Sequence, residues 1–437
     1  MNLTFLTFPA LYSATILMLT GNGLFFSFIG LRLSSQGINE VWIGALTAAY
    51  YGGMVCGAKF GHRMIAGVGH VRSYVACAGA ATIIVLLHVL FEQLEFWLAL
   101  RFVMGLVMMN QYMVIESWLN EQAENNQRGA VFAGYMVAVS LGLMLGQGVL
   151  IWRPELDFKP LVIVAICFAA CLLPVTMTKR LHPAKLVAAP LEIGFFWQRV
   201  PQALTTVFVT GLMIGAFYAL APVFATRNGL STAEASTFVA VSIFAGLCGQ
   251  WPIGWLSDRI DRSRLIRACA LALGLLVIPL WGLVPLPYAV LLLFGFLSGL
   301  LLFTLYPLAV ALANDNVEQP RRVPLSAMML ATHGIGASLG PMLSGALMNS
   351  YGHGAFYMLF SACALLLIWR VQPRKVTGEY LVEGAPLHHV AMPEHPMGAM
   401  AAVLDPRVDE IPEELVINEP APDSAPSTAR SGCDDSR

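Results

Sequence analysis

The sequence predicts an all-α membrane protein with twelve transmembrane helices in two six-helix bundles. Three observations predict it. Of 437 residues, 57% are apolar and only 12% are charged, with a mean hydropathy of +0.69. A soluble domain carries about 25% charged residues, and so little charge cannot cover a water-facing surface of this size. Twelve apolar runs reach or approach the roughly 20 residues that cross a bilayer as a helix. Between them, Lys and Arg gather in alternate connections, seventeen on one side and four on the other.

The runs fall at about 9–31, 42–62, 73–91, 96–117, 129–150 and 160–178, then 203–225, 235–256, 265–284, 287–312, 326–349 and 353–370. The first is too long for a signal-peptide core and has no basic region before it, so it is expected to stay as a span. The basic connections mark the cytoplasmic side, which places both termini there. The longest inner connection, 179–202, divides the runs six and six and carries Phe195-Phe-Trp-Gln-Arg199, an interfacial amphipathic piece. The domains expected are a bundle over 1–178, a linker over 179–202, a second bundle over 203–370 and a tail over 371–437. Residues 371–437 hold 5 basic and 12 acidic side chains, against 20 and 14 in residues 1–370. With much Pro and few large apolar residues, the tail is expected to be disordered, acidic and cytoplasmic.

The composition also excludes chemistry. The eight cysteines are scattered and none takes a ligand spacing with His, so neither a disulfide framework nor a zinc site is indicated. No phosphate-binding G-x-x-x-x-G-K-[ST] loop is present. No Ser/His or His/Asp/Glu cluster sits at one depth, so the reading is no enzyme, no catalytic residue, no metal and no cofactor.

Each half carries a basic, Gly-bearing loop after its second run, and such repetition is what duplicated transporter halves predict. The second reads Gly254-Trp-Leu-Ser-Asp258-Arg259-Ile-Asp261-Arg262-Ser-Arg264. It resembles the inner-loop signature of the major facilitator superfamily, G-x-x-x-D-R-x-G-R-[KR], with Asp261 where Gly is usual. The resemblance implies that Asp258 caps a helix end and, with Gly254, Arg259 and Arg262, latches the halves on the cytoplasmic side. The first loop, Gly57-Ala-Lys-Phe-Gly61-His62-Arg63, lacks the Asp. Glu116, near the end of the fourth run, is the candidate partner for Arg63, Arg72 or Arg128, the alternative being an interfacial Glu facing water. Arg101-Phe-Val-Met104-Gly105 looks like the family's R-x-x-Q-G, with Met for Gln. The strings Phe303-Thr-Leu-Tyr-Pro307 and Gly249-Gln-Trp-Pro-Ile-Gly254 are similar to the YcaD-like branch, and the likeness covers about 10–370.

Arg101 lies about 7–8 Å inside its run. At that depth an Arg serves an anion or a proton, or snorkels to the headgroups. Small residues recur at helical spacing in runs two, five, eight and eleven: Gly53, Gly57 and Gly61; Gly142 and Gly146; Gly246 and Gly249; Gly336, Gly340 and Gly345. Such rows let backbones approach closely. In the superfamily these four helices form the contact between halves, which makes the rows its expected gliding surface.

The superfamily's cavity is lined by runs one, four, seven and ten. The substrate-binding candidates are Asn22, Phe26, Arg101, Asn110, Gln111, Tyr218, Tyr306 and His333, with Phe25, Tyr50, Tyr51, Tyr112, Gln250 and Thr304 at similar depth. Asn110 and Gln111 are adjacent, so only one is expected to face the cavity. Gln147 and Gln250 are expected to bond across the halves. No Asp or Glu occurs at middle depth, which disfavours a hard cation as cargo. The functional reading is a monomeric secondary transporter in a bacterial inner membrane, moving a small organic solute by alternating access, with proton-coupled export as one mode. Its alternative is a transporter-like scaffold or sensor acting through the acidic tail.

Overall fold

The computed structural model describes residues 4–123, 128–177 and 192–373, and positions 381, 382, 385 and 389 beyond them. The disorder expected of the tail therefore falls almost wholly outside the described residues, as does most of the 179–202 linker. The described residues are helical nearly throughout: α1 (Thr4–Ser35), α2 (Glu40–Val68), α3 (His70–Leu90), α4 (Leu94–Gln122), α5 (Arg128–Trp152), α6 (Lys159–Ala170), α7 (Leu172–Met177), α8 (Ile193–Arg199), α9 (Pro201–Arg227), α10 (Thr232–Ser257), α11 (Arg262–Leu276), α12 (Tyr288–Asn314), α13 (Arg322–Tyr351) and α14 (Ala355–Arg370). In lipid every backbone N–H and C=O must bond within its own segment, which is what long helices accomplish.

Nine stretches of helix among the described residues are long and apolar enough to cross a membrane: α1 to α5, the α6–α7 pair, α9, α10 and α12. The protein is thus an all-helical, multi-pass membrane protein. Local chemistry sets the ends. Asn39 caps α2 by accepting the Trp42 N–H at 3.1 Å. Ser231 and Glu234 form a reciprocal capping box on α10. Gly69, at φ 85, turns α2 into α3 within one residue. Two expected runs are broken by proline. Pro174 has no N–H for the Ala170 carbonyl, and the sixth run splits into α6 and α7 at Cys171. Pro279 ends the ninth as a short 3-10 turn, Ile278–Trp281, leaving α11 with fifteen residues.

The helices pair in a repeated order. In the first half α1 lies on α5, α2 on α4, and α3 on both α4 and α6; in the second, α9 lies on α13, α10 on α12, and α11 on both α12 and α14. Between the halves α2 meets α13, α5 meets α10, and α1 meets α9.

All but one of the named row glycines with a described close neighbour sit elsewhere than expected, Gly345 alone keeping its place between the halves. A Cβ on Gly53 would strike the Phe102 carbonyl of α4, and one on Gly105 would strike the Tyr50 carbonyl of α2. Gly142 and Gly146 seat α1, Gly246 and Gly249 seat α12, and Gly336 and Gly340 seat α9. These rows seat α2 on α4, α5 on α1, α10 on α12 and α13 on α9, within each half. Glycine meets backbone across the halves chiefly at Gly44, against the Pro341 carbonyl, at Gly345, against the Glu40 carbonyl, and at Gly30, where a Cβ would come within 3.0 Å of the Ala219 oxygen.

Candidate functional site

The loop order gives the molecule two ends, one holding Glu40 and Arg227, the other holding Asp258. At the first, α2 starts with Glu40 and α9 finishes with Arg227. The Arg227 guanidinium donates to one Glu40 oxygen from Nη2 at 2.8 Å and from Nε at 3.1 Å. This ion pair joins the halves directly above the Gly345 contact. The sequence reading passed over it, because only the fold brings an α2 start beside an α9 end.

Below it, aromatic rings close the centre. Phe26 of α1 stands edge-on to Tyr50 at 4.8 Å and stacks on Tyr51 at 6.2 Å. Across the halves Phe26 meets Tyr218 of α9 at 6.2 Å, and Tyr218 meets Phe303 of α12 at 6.1 Å. Phe303 was not singled out as a cavity residue. Its ring lies on Phe217 and Tyr218, and its signal was the FTLYP string already quoted.

Arg101 enters this cluster from α4, seven residues in from Leu94 and so about 10 Å along the helix. It does not snorkel: 1% of it is exposed. Its Cζ lies 4.0 Å from the Phe25 ring centre and 5.3 Å from that of Phe26. Nη2 donates to the Phe25 carbonyl at 3.4 Å, while Nε and Nη1 are buried without a hydrogen-bond acceptor. Asn22 is fully buried, and the Tyr50 hydroxyl lies next to Asn22 and Tyr112 and in the electrostatic field of Arg101.

A second cluster lies toward the Asp258 end. The Tyr306 ring stands edge-on to His333 at 5.0 Å. Glu116 is fully buried and interacts electrostatically with Tyr135 and Tyr306. It does not face water, and Arg63 and Arg72, two of its expected partners, are exposed; the side chain of Arg128 lies outside the described residues. The fold thus buries Glu116, in the electrostatic range of Tyr135 from its own half and Tyr306 from the other.

Other candidates are diverted. Asn110 donates to its own helix at the Leu106 carbonyl, 2.7 Å away, and its oxygen faces Gly61 of α2. Gln111 is fully buried, with the Cys171 thiol of the first half near its amide. Neither of the adjacent pair bonds to α9 or α12 among the described residues. Gln147 bonds to the Gly23 carbonyl of α1 at 3.1 Å, within its own half rather than across. Thr304 bonds back to the Leu300 and Leu301 carbonyls.

At the Asp258 end, Asp258 takes the C-cap position of α10 and accepts from Arg262 Nη2 at 3.1 Å. The buried Arg262 also bonds to Asp315 and, at 3.1 Å, to the Ala311 carbonyl of α12. Arg259 stacks on Trp255 at 3.6 Å. Asp261 takes the N-cap of α11, receiving the Arg264 N–H at 2.9 Å with φ −48, so glycine is not needed there. These bonds tie α10, α11 and α12 to one another. Two tail positions join them: the His389 N–H donates to Asp258 at 2.7 Å, and the Val382 N–H donates to the Asp315 carbonyl at 3.0 Å. Gly254 lies directly under the His389 ring. The piece foreseen at Phe195–Arg199 is the helix α8. It sits on the α12–α13 connection, with Arg321 over the Phe195 ring at 4.1 Å and Arg199 on the Asn316 carbonyl at 2.9 Å.

Comparison with known proteins places this arrangement. A family model described as Major Facilitator Superfamily matches residues 11–302 and again 206–403. An MFS-type transporter of Shigella flexneri, YcaD, is 25% identical over 374 residues, covering 82% of this chain and 93% of that protein. Among solved structures, the nucleoside transporter NupG superposes with a TM-score of 0.72 at 15% identity, covering 84% of this chain and 98% of its own. A bacterial homologue of the human lysosomal transporter Spinster, in an inward-facing state, superposes with a TM-score of 0.68 at 14% identity, covering 88% and 99%.

Proposed function

Because the chain belongs to the Major Facilitator Superfamily, we propose that it is a secondary transporter moving one small organic solute by alternating access. In this reading twelve helices cross the membrane, α11, α13 and α14 joining the nine already described. They form two six-helix bundles, 1–178 and 203–370, linked by 179–202, and the acidic tail over 371–437 hangs from the second. The repeated pairing of α1 with α5 and α9 with α13, of α2 with α4 and α10 with α12, supports two equivalent bundles. The basic connections favour a bacterial inner membrane with both termini cytoplasmic and the Glu40 end outside. A single chain carries the whole path.

The observation that carries the reading is the Phe26–Tyr218–Phe303 ring contact across the halves, flanked by buried polar groups and covered at one end by the Glu40–Arg227 pair. A solute bound between the rings lies where rocking halves exchange access from one side to the other. Asn22, Phe26, Arg101 and Tyr218 form its near shell, and Tyr306 with His333 the deeper wall. Glu116, Tyr306 and His333 are the groups through which proton coupling would run; export and uptake use the same path.

The test is a thermal-shift screen of solutes on purified protein, followed by counterflow in proteoliposomes with and without a pH gradient. At least one stabilising solute is expected to exchange across the bilayer. Loss of all exchange across a broad solute library would sink the reading. A second reading, a sensor acting through its tail, is favoured by the His389–Asp258 contact alone. Truncation after Lys375 separates the two, since exchange survives it if the chain is a transporter with an accessory tail.

A further inference from the structure

Arg101 carries a charge that the described fold leaves unanswered. Guanidinium stays protonated in proteins and presents five N–H donors. Here one donor reaches a carbonyl at a long 3.4 Å, while Nε and Nη1 are buried without a partner. No ion pair involves Arg101 among the described residues. Glu92 is exposed and turned to Arg32, Glu95 is exposed, and Glu116 lies fifteen residues along the same helix, about 22 Å away. The ring faces of Phe25 and Phe26 attract a cation but do not neutralise it. A buried charge of this kind costs a fold heavily unless an opposite charge arrives.

Neutral donors stand beside it. Both polar atoms of the Asn22 amide and the Tyr50 hydroxyl are buried without a hydrogen-bond partner. Tyr50 lies next to Asn22 and in the electrostatic field of Arg101, with no hydrogen bond to the guanidinium. A forked guanidinium with unbonded edges is matched to the two oxygens of a carboxylate, which it binds bidentately. The walls next to these donors are flat rings, Phe26, Tyr51 and Tyr218. Rings at such spacing favour a flat, unsaturated body.

Building on the transporter reading, we propose that Arg101 is the anion receptor of the central site and that the solute is a small organic monoanion, a carboxylate on a flat unsaturated body. Arg101 takes the carboxylate, Asn22 and Tyr50 complete its bonds, and Phe26 and Tyr218 part to admit the ring. The charge of Arg101 repels cations from the same place.

The test uses the full chain and three probes of one shape: benzoate, benzamide and benzylamine, with cinnamate and naphthoate as larger carboxylates. Binding is measured by calorimetry on wild type, Arg101→Gln, Arg101→Lys and Arg32→Gln. Wild type is expected to bind at least one carboxylate tenfold or more tightly than benzamide or benzylamine. Arg101→Gln should lose tenfold or more of that affinity, Arg101→Lys should keep part of it, and Arg32→Gln should match wild type. Asn22→Asp, which places a carboxylate beside Arg101, should raise the melting temperature and also abolish carboxylate binding; it decides the matter if Arg101→Gln does not fold. Equal binding of the neutral or cationic probe, no binding of any carboxylate by folded wild type, or carboxylate binding undiminished in Asn22→Asp overturns the proposal. Counterflow of neutral or cationic solutes that is unchanged in Arg101→Gln overturns it while leaving the transporter reading intact. Failure of solutes of every charge to exchange strikes the transporter reading itself.

Discussion

The two ends of the molecule are closed by different means. At the Glu40 end the bonds run between the halves: an Arg227–Glu40 ion pair, backbone packed on Gly44 and Gly345, and ring contacts beneath. At the Asp258 end the described bonds run within the second half, from Asp258 and Arg262 to Asp315, with His389 added from the tail. The described bonds of the first end form a seam between the halves, and those of the second form a brace within one half. Under the proposed alternating access, rocking breaks the seam and can leave the brace whole, so substitutions at the two ends should differ in kind as well as size.

The largest effect is expected away from both ends. Gly105→Val would force a side chain into the Tyr50 carbonyl and wedge α2 from α4. Overpacking of this kind costs on the order of 3 kcal/mol. The yield of monodisperse protein in size-exclusion chromatography should collapse; wild-type yield would mean that the glycine rows do not hold the bundles. Next, Gly345→Val pushes against the Glu40 carbonyl, between the halves. Folded protein should be retained while the Glu40 end opens. An Ile43→Cys probe, buried in wild type, should then label with impermeant maleimide tenfold or more faster on a cysteine-depleted background.

Arg227→Gln is expected to act in the same direction but less. The pair is partly exposed, with 44% of the Arg227 side chain accessible, and such pairs contribute about 0.5–1 kcal/mol. Labelling of Ile43→Cys should rise roughly two- to fivefold by the usual conversion of free energy to populations, and high salt should narrow the gap between wild type and variant. No rise would show the pair to be incidental to closure. The smallest effect belongs to Asp258→Asn. Arg262 keeps Asp315 and the Ala311 carbonyl, so labelling of Ile43→Cys should stay within about twofold of wild type. Labelling of an Ala385→Cys probe in the tail should increase, since His389 loses its charged acceptor. A change at Ile43 as large as that of Arg227→Gln would erase the distinction between seam and brace.

Much of this was legible in the chain itself. Lipid as solvent dictates long apolar helices, so hydropathy alone located the nine stretches of described helix that are long and apolar enough to cross. Asp258, Arg259 and Arg262 stood out because charge clusters only where helices leave the membrane. Arg101 was conspicuous because Arg is rare inside an apolar run. The sequence reading misplaced the residues whose meaning depends on a neighbour from another helix. Gly53 packs on α4 and Gly336 on α9, each within its own half. Asn110 bonds to its own helix at the Leu106 carbonyl.

The sequence by itself determined that this is a multi-pass helical membrane protein, because burial in lipid is governed by the composition of each segment alone; the superfamily was marked by its motifs, the loop over 254–264 above all. Tertiary structure decided which buried polar groups share a site. Glu40 meets Arg227 across 187 positions of chain, and Phe26 meets Tyr218 across the halves. Arg101 sits between rings with its donors unspent. Pairings of that kind depend on helix rotation and on which axes come together, and those follow from packing of all the helices at once.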